Sequence, residues 1–463
     1  DTGWHIRAGQ WILEHRQVPT RDLFSFSKPN EPWLAWEWLS EVIFAGLHQT
    51  LGLKGVVWIS GVTIVGTFVL VAARAARLGA TGLVNLFVVL FGVGASTIHQ
   101  LARPHVFSWF LLAYSLWLIE QDLLQPTRRI WLLVPLAATW VNLHGGVFGL
   151  LACLGCLSLG AAVEALTTGQ IQAKRWCTRY GVLCVAASAA TLLNPYGWRL
   201  HIHILDYLRA GWIRRSIQEF QPLGFSAESH FHFELLLIAG LLFTLPLASR
   251  RGWAVAALVL FWAHWALVSA RHVPLYAIVA CPWIATELTH SIRQLASGFR
   301  TSCWLRALVG FSDDLARGLR GVTLWTLLAF GVVVVWPGLR WPNDFPAWKF
   351  PVAMAARWGE LLSTSRVLCP DEWADYLIYR HYPRQRVFLD GRSDFYGREL
   401  VEAYLSLASG KRNWAELVAR HRFDVVWVPP DWAIASLLLR EPHWQVVEQD
   451  AQAVLLARRN TTH

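Results

Sequence analysis

Charge is scarce in this sequence. Lys, Arg, Asp and Glu make up 16% of its 463 residues, where a soluble domain of that length carries about 25%. A chain that is water-soluble throughout is thereby excluded. The shortage is uneven: it falls on long apolar blocks, while residues 338–463 are charged like an ordinary domain. Cysteine is sparse as well. Of seven, only Cys369 lies in that C-terminal segment, which rules out an internal disulfide there. Cys153 and Cys156 make a C-x-x-C, but within an apolar run the spacing reads as packing rather than as a metal or redox pair. No G-x-G-x-x-G or G-x-x-x-x-G-K-S/T follows a strand-like run, so a nucleotide fold has no support. Methionine occurs once, as Met354. The sequence opens at Asp1 in a stretch already polar and aromatic, with no readable signal peptide, and a helix upstream of Asp1 is expected.

What is present is apolar. Blocks run over 55–73, 80–98, 105–120, 130–142, 145–166, 180–194, 232–248, 253–269, 273–290 and 321–337. Several reach the ~20 residues that span a hydrocarbon core, so about ten membrane-spanning helices are predicted. No charge sits in the middle of a block. The short block 130–142, ending at Asn142-Leu143-His144-Gly145-Gly146, reads as a thin or re-entrant span. If Asp1 lies outside the cytoplasm and each block crosses once, the cytoplasmic loops hold Arg74, Arg77, Arg128, Arg129, Arg179, Arg250, Arg251 and Arg293 among others. The external loops hold fewer: Arg103, Arg199, Arg209, Arg214, Arg215 and Arg271. This is the positive-inside bias, and it places residues 338–463 outside. It also accounts for much of the net charge of +10 through anionic headgroups, with no nucleic acid required.

Polar residues collect on the external side: Asp1, His5, Asp22, Glu37 and Glu41, then His99, Arg103 and His105. Asn142 and His144 follow, then Asn194, Tyr196, His201, His203 and Asp206, and finally Arg271 and His272. Carboxylates, imidazoles and guanidiniums at one depth suit a site for a charged, lipid-borne substrate. Some of these residues carry a resemblance. The stretches Asp1–Leu13 (D-T-G-W-H-I-R-A-G-Q-W-I-L), Val18–Ser25 (V-P-T-R-D-L-F-S) and Trp36–Leu39 (W-E-W-L) resemble the first external loop of bacterial GT-C glycosyltransferases. Those are multi-pass enzymes that take a sugar from a polyprenyl-phosphate carrier. Arg103–His105, Trp140–Gly145, Asn194–Gly197 and Arg271–Pro274 are similar to later blocks of one branch, and Tyr376–Tyr379 and Val387–Gly397 to its extracytoplasmic domain. The departure is at the front, where the family has a helix before its acidic loop.

The resemblance implies the fold class: a membrane all-α multi-pass bundle of GT-C type with a C-terminal extracytoplasmic α/β domain. Residues 1–54 would be the first external loop with amphipathic helices, 55–337 the transmembrane bundle and 338–463 the soluble domain, all at the bacterial inner membrane. It also implies a mechanism. An acid of the first loop acts as general base or metal ligand, and cations balance the departing lipid phosphate. Asp1 matches that acidic position and takes the base role, against the plain alternative of a helix cap. Glu37 is a further catalytic candidate and, with Glu41, equally suits an amphipathic interfacial helix whose anchors are Trp33, Trp36 and Trp38.

Arg103 and Arg271 are the expected clamp for the lipid phosphate, since guanidinium binds phosphate through two hydrogen bonds; contact with headgroups is the alternative. His144 suits acid/base work or phosphate donation, or simple packing between helices. His5, Asn142 and His272 join the donor-binding group, although Asn142 and Asn194-Pro195 also read as helix stops. Asp22 reads as part of a turn. His201, His203 and Asp206 read as a solvated loop more than a metal set. No stable metal site is expected, and a weakly held divalent ion is left open.

In the C-terminal segment, strand-like runs at Arg366–Cys369, Arg386–Leu389, Asp424–Val428, Trp444–Glu448 and Ala453–Ala457 alternate with helical ones near 371–382, 398–408, 413–421 and 431–440. The pattern predicts a small α/β domain with a partly parallel sheet ending in a hairpin. Asp390, Arg392 and Tyr396 at the end of the second run are candidates for binding an acceptor; the alternative is an Asp–Arg pair pinning a turn. The expected activity is transfer of a sugar from a polyprenyl-phosphate donor to a glycan, lipid or protein acceptor outside the cytoplasm. The competing reading is a non-catalytic GT-C-like subunit that binds other membrane proteins. A secondary transporter ranks last, because neither repeated halves nor midplane polar groups are seen.

Overall fold

Long apolar runs without a central charge fold as helices, because in lipid a backbone must satisfy its own amides. The computed structural model describes residues 1–225, 230–298, 303–319, 331–332, 336, 341 and 343–459. The apolar block at 321–337 lies almost wholly outside the described residues. Among those described, Leu53–Leu78 (26 residues) and Val147–Thr168 (22 residues) are long and apolar enough to cross a membrane. Phe231–Leu242 and Thr244–Arg251, bent by 49°, make a third if the pair is one span. Other blocks form shorter apolar helices, such as Gly82–Ala95 and Trp253–Val268, so length and composition alone do not reach about ten spans. Leu90, Leu159, Leu166, Val185 and Leu242 point outward from these helices. Apolar surface of that kind belongs against lipid.

Two compact units result. One comprises Asp1–Val56, His203–Ser216 and Arg340–His463; the other comprises Val57–Ile202 and Ile217–Leu339. The first loop and the C-terminal segment, separate in sequence, therefore fold as one unit. The second unit is helical and is held internally by ion pairs as well as by apolar packing. Arg74, expected in a cytoplasmic loop, is instead inside the Leu53–Leu78 helix and fully buried. Its guanidinium forks onto Glu120 at 2.6 and 3.0 Å and donates to the Ile278 carbonyl at 2.6 Å. Arg179 does the same with Asp122 at 2.7 and 2.8 Å. The two helix-borne acids thus pair with cations that the sequence alone offered to headgroups. Cys153 and Cys156 are free thiols, and Trp262 donates its ring N–H to Cys153 at 3.3 Å.

The mixed unit holds a four-stranded sheet in the order β1 (Val367–Leu368), β2 (Val425–Val428), β4 (Val454–Arg458), β3 (Trp444–Gln449). β1 and β2 are parallel, and the remaining pairs are antiparallel. Central β2 is the apolar run V-V-W-V, buried at every position, as a strand covered on both faces must be. Helices Asp371–His381, Ser393–Ala408, Trp414–His421 and Ala433–Leu438 are interspersed with the strands along the chain, and the Trp373 ring lies 4.9 Å from that of Trp427 on β2. The strand expected at Arg386–Leu389 is not part of this sheet. Val387 instead bridges Ser25 in parallel, its N–H donating to the Phe24 carbonyl and its carbonyl accepting from the Phe26 N–H, each at 2.9 Å. The segment finds its ladder partner at Ser25, near the other end of the sequence.

The first helix, Thr2–His15, crosses its neighbours at glycines. A Cβ on Gly3 would strike the Asp375 carbonyl, and one on Gly9 the Glu41 carbonyl. The glycines of the opening motif therefore serve close helix approach. Trp33 corrects its reading as an interfacial anchor. It is only 4% exposed and lies in the core, with the Arg392 guanidinium over its ring at 4.6 Å.

Candidate functional site

Four short segments of the helical unit converge at the starts of long helices. His99 closes a 3-10 turn, Thr97–His99, and His105 opens the helix His105–Leu124, its Nε2–H donating to the His99 carbonyl at 2.7 Å. Between them Arg103 reaches Glu219, Nη1 to Oε1 at 2.7 Å. The other oxygen of Glu219 lies 3.7 Å from Arg271 Nε, and the Arg271 guanidinium sits 4.5 Å over the Phe220 ring. Backbone and side-chain bonds hold the two strips together: Ala270 N–H donates to the Gln221 carbonyl at 3.0 Å, and Ser269 Oγ to the Glu219 carbonyl at 3.2 Å. Two guanidiniums from distant loops thus share one carboxylate. Arg103 and Arg271, singled out together in the sequence, are brought together. Glu219 was not singled out. Its one signal is being a lone acid four residues beyond Arg214-Arg215.

The electrostatics follow from that arrangement. Burial opposes ionisation of Glu219, but Arg103 and then Arg271 outweigh it and hold the carboxyl down at about 2. Burial, reinforced by the two guanidiniums against the pull of Glu219, holds His99 at about 4. Burial and Arg271 bring His272 to about 4 as well. Near neutral pH the imidazoles are uncharged and the positive charge resides on the arginines.

His144 sits where the short helix Leu133–Leu143 breaks before Val147–Thr168. Trp140 donates its ring N–H to Ser108 Oγ at 2.7 Å, the Ser108 hydroxyl donates to His144 Nδ1 at 2.7 Å, and Gly146 N–H donates to the same Nδ1 at 2.9 Å. With Nδ1 accepting twice, this bonding pattern assigns the ring proton to Nε2. The His105 and His144 ring centres are 6.5 Å apart. Asn142 donates to the carbonyls of Ala138 (2.7 Å) and Leu193 (2.9 Å), the bonding of a helix stop. His272 packs its ring near Trp262 and Trp265.

The other unit gathers the carboxylates. His5, on the first helix, lies between Glu37 and Glu41 at 3.6 Å from each. Glu41 corrects its reading as an interfacial residue: it is fully buried, and neither carboxyl oxygen has a hydrogen bond. Burial first, and Glu37 next, push its pKa well above the usual carboxylate range. The Asp1 carboxylate lies where a Cβ on Gly391 would stand, and the Asp1 nitrogen is 2.9 Å from Asp375 Oδ2.

Asp390, Arg392 and Tyr396 are together, but turned on one another inside the core. Arg392 forks onto Asp390 at 2.7 and 2.8 Å and donates to Asp22 at 2.8 Å, while Tyr396 donates its hydroxyl to Asp390 at 2.7 Å. The expected placement of this trio at the end of a second sheet strand does not hold, since that strand is absent from the sheet. Asp22 does form a turn, its carboxylate accepting from Ser25 N–H and Oγ, both at 2.8 Å. His201 bonds Thr191 Oγ1 at 2.8 Å and His203 bonds Asp394 at 2.9 Å. Among the described residues no three His, Cys, Asp or Glu side chains form a metal-binding group.

Of the residues selected from sequence, Asp1, His5, Glu37, Asp390, Arg392 and Tyr396 fall in one unit, and Arg103, Asn142, His144, Arg271 and His272 in the other. No family model matches the chain, and no curated protein matches it. Among solved structures it is similar to ArnT from Cupriavidus metallidurans bound to undecaprenyl phosphate, at 13% identity and a TM-score of 0.49, covering 100% of this chain and 94% of that one. It is similar also to the apo state of ArnT from the same organism, at 14% identity and a TM-score of 0.47, covering 99% and 93%.

Proposed function

We propose that this chain is a multi-pass membrane glycosyltransferase of the GT-C kind. It would take a sugar from a polyprenyl-phosphate carrier and pass it to a glycan, lipid or protein acceptor outside the cytoplasm. The observation that carries the reading is the pairing of Arg103 and Arg271 around Glu219 at the starts of apolar helices. A lipid phosphate is a dianion or monoanion anchored at that depth, and two guanidiniums offer it forked, charge-assisted bonds. The same cations stabilise the phosphate as it leaves. Neutral His144, with its proton on Nε2, suits donation to a phosphate or to a developing charge. Asp1 keeps the base role that the resemblance gives it, with Glu37 as the second candidate.

Purified protein in liposomes, supplied with a panel of radiolabelled polyprenyl-phosphate sugars, tests this directly. Arg271→Ala should raise the donor KM about tenfold to a hundredfold, the loss of about 1.5–3 kcal/mol for a bond between charged partners. Asp1→Asn should lose transfer while melting like the parent. An unchanged donor dependence in Arg271→Ala removes the clamp. The second reading, a non-catalytic subunit, is favoured by Glu219 itself, which already occupies the arginine pair. A well-folded protein that binds no polyprenyl-phosphate sugar would establish it.

A further inference from the structure

The helices that begin beside the arginine pair and after His144 end in a second polar region. Glu120 follows His105 by 15 residues, Glu164 follows Val147 by 17, and Glu287 follows Val273 by 14, each on one helix. At 1.5 Å per residue that is roughly 20–25 Å of helix, most of a hydrocarbon thickness. Two cavities lie at this far end, of about 300 and 360 Å³, and share Leu78, Arg250 and Arg251 in their walls. The smaller also takes in Glu287, His290 and Arg293.

The charges in that cavity are unequal. Three guanidiniums meet one carboxylate, and Arg250 pairs with that carboxylate, Glu287. Arg293 bonds Asp313 at 2.7 Å, an exposed pair that solvent weakens. Among the described residues Arg251 has a single hydrogen bond, 3.5 Å from Nη2 to the Leu78 carbonyl. Gly252 fixes the pair of arginines. Its φ is +89°, and a Cβ there would strike Glu164, so the chain turns sharply just after Arg251. On the helices that lead to and from Arg250-Arg251, Leu242, Leu245 and Trp253 are 70%, 69% and 46% exposed, an apolar flank with a Trp of the kind found at the lipid interface.

We infer that the smaller cavity binds a phosphate-bearing anion through Arg251 and Arg293, at the end of the helical unit away from the Arg103–Arg271 pair; the larger, lined by Glu120 and Glu164, does not suit an anion. The chemistry is an anionic phosphate group; its source is either the headgroup of an anionic phospholipid in that leaflet or free inorganic phosphate. The apolar flank gives acyl chains a place to lie. This site does not depend on the transferase reading.

The test uses the full chain in neutral detergent, delipidated, with binding followed by thermal shift and by native mass spectrometry. Phosphatidylglycerol should raise the melting temperature saturably, and phosphatidylcholine should not. Arg251→Gln with Arg293→Gln should weaken that response at least tenfold, the effect of losing a bond between charged partners. Arg293→Gln alone, at an exposed position, keeps the test valid should the double variant fold poorly; it too should bind less. A shift with inorganic phosphate, lost in the same variants, assigns the source as free phosphate. Equal shifts with both lipids and none with phosphate, or variants that respond like the parent, would overturn the inference.

Discussion

Arg392 in one unit and the Arg103–Arg271 pair in the other are both arginine–carboxylate clusters, with opposite balances. Arg392 meets two carboxylates, Asp22 and Asp390. It is sealed among aromatic rings, with Trp33, Phe395 and Phe24 at 4.6, 4.9 and 5.0 Å. In the helical unit two guanidiniums share Glu219, with side chains 18% and 33% exposed. A cation held by surplus carboxylate inside a core pins a fold, whereas two cations around one half-open carboxylate suit a further anion. The difference separates a structural use of arginine from a binding one.

The largest effect expected from this contrast is at Arg392. Arg392→Ala leaves Asp22 and Asp390 buried without their cation and should cost about 3–5 kcal/mol, read as a large fall in melting temperature. Arg392→Lys should recover only part of this, because an ammonium cannot fork across two carboxylates. A variant that melts with the parent would break the contrast from its structural side.

Glu219→Gln probes the other side. Removing the shared carboxylate removes the anion that competes for the two guanidiniums, so a polyprenyl-phosphate lipid should bind about tenfold tighter. Weaker binding would mean that Glu219 positions the pair. Acid gives a second readout. The carboxyl of Glu219 is held at about 2 against an ordinary 4.5, so its contribution is present above 4.5 and is lost as pH falls through about 2. The Gln variant should lack that part of the acid destabilisation.

These clusters were unequally legible in the sequence. Arg103 and Arg271 could be paired by reading, because each lies at the mouth of an apolar block beside a His, and depth along a membrane helix can be counted in residues. Their shared partner could not, since Glu219 sits in an irregular stretch where no periodicity fixes a direction. The sheet shows the same division. β2, β3 and β4 were readable as apolar or alternating runs, yet Arg386–Leu389 looked just as strand-like and pairs with Ser25 instead. Local pattern reports that a segment is extended; it does not report which distant segment completes its hydrogen bonds. Arg74 and Trp33 were misplaced for a related reason: a cation near a block end, or a Trp in a loop, looks the same whether it faces headgroups or a buried partner.

The smallest effect concerns a pair that belongs to neither class. His203 Nε2–H donates to Asp394 at 2.9 Å, with both side chains partly exposed, at 24% and 12%. Burial opposes its charge, but the bond to Asp394 and the charges of Asp394 and Asp206 prevail, and its pKa is raised above 6.5. A raised folded value means the stabilisation is complete below 6.5 and fades as pH climbs through the folded pKa. Because solvent screens a pair of this exposure, the amount should stay below about 1 kcal/mol. Melting temperatures of parent and His203→Gln should therefore differ slightly at pH 6 and converge in alkaline buffer. Parallel pH profiles for the two proteins would show that His203 and Asp394 do not bond in solution, and would leave the arginine clusters as the only ion pairs in the contrast that matter to stability or binding.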